Sequence, residues 1–201
     1  MKRDARRVGL FGGSFDPPHL AHLALARSAR DQLALEEVRW MPAGQPWQKA
    51  DRTITSAAQR SALVGLLIAG EPGCVLDARE LARSGPSYTV DSLRELRAAR
   101  PEAEFFLIVG QDQAARIDTW HDWREIAAGV TLAVAARAGE VVEPAAALAT
   151  VPHQLTVIDL PSMAISSTQI RAMAARGEDI RPMVGDAVAG YIARHRLYRE
   201  H

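Results

Sequence analysis

Two histidines directly behind a glycine-rich turn are the first residues of this chain whose spacing suggests chemistry. The segment GLFGGSFDPPHLAH places His19 and His22 three residues apart. On a helix such a pair shares one face, and the glycines let a ligand approach the backbone closely. Three interpretations are open at this point: two half-exposed helix histidines, a metal site with only two evident ligands, or a pair of donors to phosphate oxygens.

A second segment, AISSTQIRAM, combines hydroxyl groups with a cation. Ser166, Ser167 and Thr168 offer hydroxyl and backbone N–H groups at a predicted helix start, where the helix dipole is positive. Arg171 follows one turn later, and a guanidinium binds phosphate oxygens as a fork. Alone, the segment also fits a capped surface helix. Together with the glycine-rich turn it favours an anion site.

Apolar runs alternate with helical patterns along the chain. The runs predict six strands: Arg7–Phe11, Val38–Pro42, Cys74–Asp77, Phe105–Val109, Thr131–Ala136 and Leu155–Asp159. The patterns predict helices over His19–Leu33, Ala57–Ala69, Val90–Arg100, Trp123–Ala128, Ser167–Arg176 and Asp186–Arg194. Capping-box spacing supports two of the helix starts, at Ser56 and Ser166, and Gly177 is a typical helix stop. This alternation predicts one α/β domain over residues 1–201, with a doubly wound parallel sheet covered on both faces. Ligands then bind at the carboxyl ends of the strands, where the strand order reverses.

The composition of the chain argues against several classes of protein. The 201 residues include 24 Lys and Arg against 24 Asp and Glu, so the formal net charge is zero and no strongly basic nucleic-acid footprint exists. The single cysteine, Cys74, excludes an internal disulfide, and its place in a predicted strand favours a buried structural thiol. No apolar run approaches the ~18 residues of a membrane span. We therefore expect a cytoplasmic protein that binds neither nucleic acid nor membranes.

The two motifs resemble the signatures of the nucleotidyltransferase superfamily. GGSFDPPHLAH is similar to its (T/H)xGH-type motif, and ISSTQIR is similar to its ISxTxIR motif. With SGPSYTVDSL, FFLIVGQD and DTWHDW, nearly the whole chain resembles the bacterial nicotinate-nucleotide adenylyltransferases. The resemblance implies a Rossmann-like fold and a reaction of ATP with nicotinate mononucleotide that gives deamido-NAD and pyrophosphate in NAD biosynthesis. It also implies Mg²⁺ carried with ATP. Ala21 departs from the family, which usually has glycine between the two histidines.

The resemblance assigns roles to individual residues. It implies that His19, His22 and Arg171 are catalytic, stabilising charge rather than removing a proton. The residues implied to bind ATP are Gly12, Gly13, Ser14, Phe15, Gly110, Asp112, Arg137, Ser166, Ser167 and Thr168. Those implied to bind nicotinate mononucleotide are Lys49, Tyr88, Thr89, Trp120 and His121, with the Trp120 ring stacked on the pyridine. Trp123 is interpreted as a core residue, and no protein ligand to a metal is implied.

Two other kinds of function are open at this point. A pantetheine-phosphate adenylyltransferase or a cytidylyltransferase would share both signatures, and a nucleotide-binding regulator without turnover would share the fold. The PSYT and TWHDW segments favour a pocket for an aromatic acid, and the histidines with Arg171 favour turnover. The sequence leaves open a homo-oligomer and the preference for acid over amide pyridine nucleotides.

Overall fold

The architecture is a parallel sheet with helices on both faces. The computed structural model describes residues 6–45, 54–137, 142–161 and 163–199. The strands are β1 Arg7–Gly13, β2 Glu37–Pro42, β3 Cys74–Leu76, β4 Glu104–Gly110, β5 Thr131–Arg137 and β6 Gln154–Leu160. Their order in the sheet is β3-β2-β1-β4-β5-β6, and every adjacent pair is parallel. Because β1 pairs with both β2 and β4, the order reverses between β1 and β4, and a crevice opens at their carboxyl ends.

All six predicted strands and all six predicted helices are present within two residues of their expected bounds. The helices are α1 Leu20–Gln32, α2 Ala57–Leu67, α3 Arg79–Ala82, α4 Thr89–Ala99, α5 Gln111–Ala114, α6 Trp123–Gly129, α7 Ser167–Ala175, α8 Arg181–Val184 and α9 Asp186–Arg194. Two 3₁₀ turns lie at Ile117–Thr119 and Ala146–Thr150. The sequence did not predict α3, α5, α8 or these turns, because three to five residues are too few to show a helical period.

The sheet separates two apolar cores. In β4, Phe105, Leu107 and Val109 face the core that α4 and α6 cover, whereas Phe106 and Ile108 face the core under α1, α2, α7 and α9. Such unbroken apolar runs are typical of strands buried on both faces. The two cores hold β1 and β4 rigidly, so the loops that leave their carboxyl ends have a fixed base.

Local chemistry explains where the main helices begin and end. The side chain of Ser56 accepts a hydrogen bond from the Gln59 backbone, and the side chain of Ser166 accepts one from the Gln169 backbone. Gly177 follows α7 with φ +73°, which closes that helix as predicted. Cys74 is half-buried on the edge strand β3, and burial raises the pKa of its thiol. None of the helices in the described ranges has the length and apolar character needed to span a membrane.

Candidate active site

A cleft of about 400 Å³ opens at the carboxyl ends of β1 and β4, where the strand order reverses. The residues of the predicted site that line it are Gly12, Gly13, Ser14, Phe15, His22, Thr89, Gly110, Trp120 and Ser167. These come from five separated segments of the chain. The cleft therefore joins residues of the glycine-rich motif, the ISSTQIR motif and the predicted pyridine pocket.

The glycine-rich loop is shaped by an aromatic residue. Phe15 is buried with φ +49°, and its ring packs against Phe11 and Trp40 with centroids 5.4 and 5.3 Å away. A Cβ atom on Gly13 would lie 3.1 Å from the Phe15 ring, which favours glycine two residues before this aromatic residue. A Cβ on Gly12 would meet nothing within 4 Å, because Gly12 borders the open cleft.

The two histidines stack at the start of α1. Their ring centroids are 3.6 Å apart, and the His19 backbone N–H donates to Nδ1 of His22 at 3.2 Å. A neutral His22 then carries its proton on Nε2, which leaves that atom a donor. Only 6% of His19 is exposed, and this burial lowers its pKa to about 4. The His19 ring is therefore neutral at neutral pH and can donate one hydrogen bond.

The amino-terminal end of α7 docks directly onto the glycine-rich loop. The Ser167 hydroxyl donates to the Pro17 carbonyl at 2.9 Å, and Nη1 of Arg171 donates to the Asp16 carbonyl at 2.7 Å. Nη2 of Arg171 donates to the Thr168 hydroxyl at 3.1 Å. These bonds join residues 150 and 155 positions apart in the chain. The two motifs consequently form one structural unit.

A buried arginine that was not predicted from the sequence holds the backbone of the glycine-rich loop by hydrogen bonds. Arg60 in α2 is only 1% exposed, and its guanidinium donates to the carbonyls of Ser14 (2.7 Å), Ala43 (2.6 Å), Gly44 (3.2 Å) and Thr55 (2.9 Å). Burial lowers its pKa, while the nearby Asp16 charge acts in the opposite direction. The arginine thereby ties the loop after β1 to the loop after β2.

The PSYT segment closes another side of the cleft. The Ser87 hydroxyl accepts hydrogen bonds from the backbone N–H groups of Gly44 (2.9 Å) and Gln45 (3.2 Å). A Cβ on Gly44 would lie 2.3 Å from the Glu80 carbonyl oxygen, so only glycine permits this approach. Burial raises the pKa of the Glu80 carboxyl, which accepts a hydrogen bond from the Ser92 hydroxyl at 2.8 Å.

Aromatic side chains form the far end of the cleft. Trp120 is partly buried, and its Nε1 is buried without a hydrogen-bond acceptor among the residues that the structure describes. The rings of Tyr88 and His121 stack on each other at 4.3 Å beside this end. Trp123 is 8% exposed within the core beneath, which confirms its interpretation as a packing residue.

The remaining predicted residues are not among those that line the cleft, and Lys49 falls outside the described part. Asp112 is exposed on α5, directly after Gly110, and Ser166 and Thr168 are exposed at the start of α7. Arg137 is the last residue of β5, and its side chain is not described. Lys49 lies outside the described residues.

The fold and the cleft define a class of protein, and comparison with a family model agrees with it. Residues 10–173 match the family described as cytidylyltransferase-like. Among solved structures, the chain superimposes with a TM-score of 0.77 on a Plasmodium falciparum nicotinic acid mononucleotide adenylyltransferase complexed with NaAD. That match covers 96% of this chain and 97% of the other at 18% identity, so it establishes the shared fold.

Sequence relatives narrow the class. A probable nicotinate-nucleotide adenylyltransferase from Methylibium petroleiphilum is 49% identical over 96% of this chain and 92% of its own length. A relative of the same name from Albidiferax ferrireducens is 45% identical over 96% of this chain and 98% of its own. The chain therefore belongs to the nicotinate-nucleotide adenylyltransferase family within the cytidylyltransferase-like proteins.

Proposed function

We propose that this chain transfers the adenylyl group of ATP to nicotinate mononucleotide, giving deamido-NAD and pyrophosphate. The observation that carries the proposal is the composition of the cleft, which is lined by the glycine-rich loop, His22, Ser167 at the start of α7, and Trp120. Donors suited to a polyphosphate thus lie in one cleft with a flat aromatic side chain. The names of the curated relatives agree with this assignment.

The reaction needs alignment and charge stabilisation more than proton transfer. The 5′-phosphate of nicotinate mononucleotide is largely ionised at neutral pH, since the second pKa of a phosphate ester is about 6. One of its oxygens forms the new bond to the α-phosphorus of ATP, and the bond from that phosphorus to the bridging oxygen breaks. The electron pair leaves with pyrophosphate, so stabilising this leaving group lowers the barrier.

The chain offers three kinds of donor for that developing charge. His22 would donate through Nε2, because its Nδ1 is occupied by the His19 backbone N–H. The Arg171 guanidinium would pair with phosphate oxygens. Backbone N–H groups at the start of α7, with the hydroxyls of Ser166, Ser167 and Thr168, would bind the leaving pyrophosphate at the positive end of the helix. Gly110 and Asp112 after β4 would bind the adenosine, with Arg137 near the triphosphate.

Magnesium would enter with the nucleotide. In the described ranges, no group of three or more His, Cys, Asp or Glu side chains is arranged to hold a metal ion. Mg²⁺ commonly keeps several waters and binds substrate phosphates rather than an all-protein cage. Bound to ATP, it would neutralise phosphate charge. His19 and His22 would then act beside it as hydrogen-bond donors.

The pyridine ring would occupy the aromatic end of the cleft. Trp120 offers a stacking surface, and its buried Nε1 needs an acceptor, which a bound ligand can supply. The backbone N–H groups at Tyr88 and Thr89, where α4 begins, suit the pyridine carboxylate. His121 would hold Tyr88 through their ring stack. Lys49 is proposed to reach the same substrate from the loop after β2.

A substrate panel tests the proposal. Purified protein with ATP and Mg²⁺ is supplied with nicotinate mononucleotide, nicotinamide mononucleotide or 4′-phosphopantetheine, and CTP replaces ATP in a parallel series. We expect pyrophosphate release and deamido-NAD, identified by mass spectrometry, with nicotinate mononucleotide and ATP. Turnover only with phosphopantetheine or CTP would contradict the proposal in favour of another nucleotidyltransferase. Tight nucleotide binding without any product would indicate a regulator.

We further propose one nucleotidyltransferase domain over residues 1–201, because all six strands join one sheet. A cytoplasmic location follows from the same proposal, since ATP and pyridine nucleotides are metabolites of that compartment. A homo-oligomer stays a prediction, to be checked by measuring the mass in solution.

A further inference from the structure

The segment after α9 reaches back to the glycine-rich loop at the opposite end of the chain. The Tyr198 hydroxyl donates to Oδ1 of Asp16 at 2.8 Å, across 182 residues of sequence. Asp16 is only 3% exposed, and the Tyr198 side chain also contacts Thr55. An ionised carboxylate only accepts hydrogen bonds, and a phenol can donate one. The pair therefore satisfies a buried acceptor next to the candidate site.

Asp16 connects this contact to the proposed catalytic machinery. While its carboxylate accepts from Tyr198, its backbone carbonyl accepts from Nη1 of Arg171 at 2.7 Å. The next residue, Pro17, accepts from the Ser167 hydroxyl. A shift of the Asp16 backbone would consequently move the carbonyl to which the Arg171 guanidinium donates.

The backbone near Tyr198 is held in an uncommon conformation. Arg196 has φ +50° and Tyr198 has φ +65°, so two non-glycine residues adopt left-handed geometry within one turn. Such conformations cost free energy and persist where surrounding contacts enforce them. The turn brings the phenol to Asp16, and Leu197 packs against the core beside α9. The left-handed backbone at Arg196 and Tyr198 is thus part of the turn that places the Tyr198 hydroxyl on Asp16.

We propose that Tyr198 is a positioning residue for the adenylyl transfer, which fixes Asp16 so that Arg171 points at the leaving pyrophosphate. The inference uses the proposed function for its main assay. A purely structural role would only fasten the last turn of the described chain and would affect every activity of the folded protein equally. The two roles differ in whether the effect of Tyr198 depends on Arg171.

A double-mutant cycle separates these roles. Tyr198→Phe removes one hydroxyl and keeps the ring, and it is made in the unaltered chain and in the Arg171→Ala variant. We expect Tyr198→Phe to lower kcat roughly tenfold to 10²-fold in the unaltered chain, the scale for slight misplacement of a reacting group. In the Arg171→Ala background we expect the same change to alter kcat within about twofold, because the residue it acts through is gone. Equal losses in both backgrounds, or no loss in the unaltered chain, would overturn the proposal.

Matched variants control for folding and for tyrosine loss in general. Tyr191→Phe removes a phenol hydroxyl from α9, where the ring stacks on His195, and should leave kcat unchanged in both backgrounds. Asp16→Asn keeps Oδ1 as an acceptor and should retain most of the turnover, whereas Asp16→Ala should match Tyr198→Phe. Circular dichroism and urea titration give the folded fraction of each variant. Losses that follow the folded fraction would count against a positioning role.

Binding of inorganic pyrophosphate keeps the inference testable if nicotinate mononucleotide is not the substrate. By calorimetry, Tyr198→Phe should weaken pyrophosphate binding when it is made in the unaltered chain. The same substitution made in the Arg171→Ala variant should leave the pyrophosphate affinity of that variant unchanged. Failure of turnover with this coupling intact would reject the proposed reaction alone. If neither Tyr198→Phe nor Arg171→Ala changed the affinity for pyrophosphate, or if only one of them did, the inference would be rejected.

Discussion

At the scale of single residues, the proposed donor role of His22 depends on a hydrogen bond within its own helix turn. Its Nδ1 accepts the His19 backbone N–H, so a neutral His22 carries its proton on Nε2. We expect His22→Ala to lower kcat roughly 10²–10³-fold, the cost of losing one preorganised donor, with smaller effects on KM. Steady-state pyrophosphate release measures both constants. His153→Ala, an exposed histidine at the opposite end of the sheet, is the control, and near-normal turnover of His22→Ala would remove this helix from the active site.

The lowered pKa of His19 predicts how the free energy of unfolding depends on pH. Its folded pKa is lowered to about 4 by burial, whereas a histidine in the unfolded chain titrates near 6.5. The unfolded state therefore binds the proton first as pH falls. The contribution of His19 is fully present above about pH 6.5 and is lost progressively down to about pH 4, by roughly 3 kcal/mol in all.

Urea unfolding between pH 4 and 7 checks this expectation. His19→Gln should flatten the fall of the unfolding free energy over that range, because glutamine does not titrate. His22, stacked on His19, is changed to Gln as the comparison. An identical slope with and without His19 would show that other groups cause the pH dependence.

Adding a methyl group at Gly12 tests whether ATP binds in the cleft. A Cβ at this position would meet nothing within 4 Å, so Gly12→Ala should fold with little change in unfolding free energy. The added methyl group borders the cleft, and we expect weaker ATP binding by calorimetry. Gly65→Ala in α2 is the control, since its Cβ would make only an ordinary contact with Leu76 at 3.8 Å. Unchanged ATP affinity in Gly12→Ala would place the nucleotide elsewhere.

At the scale of elements, much of the fold could be predicted from the sequence. Buried strands such as β4 are continuous apolar runs, and capped helices such as α7 carry their start signal in Ser166 and Gln169. The short helix α3 lacks such a signal, because its four residues are set by contacts with β2 and the loop after it. Predictions from periodicity therefore succeeded where an element is long enough to bury its own face.

The burial of Arg60 could have been predicted from the apolar pattern of α2, but it was not. Arg60, Leu63, Val64 and Leu67 of α2 are all buried, and they occupy positions i, i+3, i+4 and i+7 of one face. A charge within such an apolar stripe needs buried partners. Those partners are backbone carbonyls of two loops, which no sequence motif marks. The histidines and Arg171, by contrast, lie in local motifs that are visible in the chain itself.

The same arginine gives a prediction for the loops it joins. Arg60→Met keeps the apolar stem and leaves four carbonyls without their donor. We expect a loss of roughly 3–5 kcal/mol in unfolding free energy by urea titration, the scale for breaking a buried charged network. Arg60→Lys should recover part of it. Arg27→Met breaks the more exposed ion pair with Glu71 and should cost less than about 1 kcal/mol. Similar losses at both arginines would contradict a special role for Arg60.

At the scale of the whole molecule, ligand binding should stabilise the entire fold. The cleft is built from β1, β4, α1 and α7, which belong to one cooperative sheet and its cover. At a ligand concentration of about 100 times Kd, linkage adds about 2.7 kcal/mol. This corresponds to a rise in Tm of roughly 5–10 °C for a chain of this size. Differential scanning fluorimetry with deamido-NAD measures it, with inosine monophosphate as the unrelated nucleotide, and an unchanged Tm with saturating deamido-NAD would contradict binding at this cleft.

The docking of α7 and Tyr198 onto the glycine-rich loop also sets an order of events during synthesis. The loop contains residues translated early, whereas the groups that hold it lie 150 to 182 positions later. Because a chain emerges from the ribosome with its amino-terminal end first, the glycine-rich loop is synthesised long before these supporting contacts can form. A nascent chain that ends before Ser167 thus carries the HxxH segment without the proposed anion site. Under the proposed function, competence to bind nucleotide is acquired only after α7 has been translated.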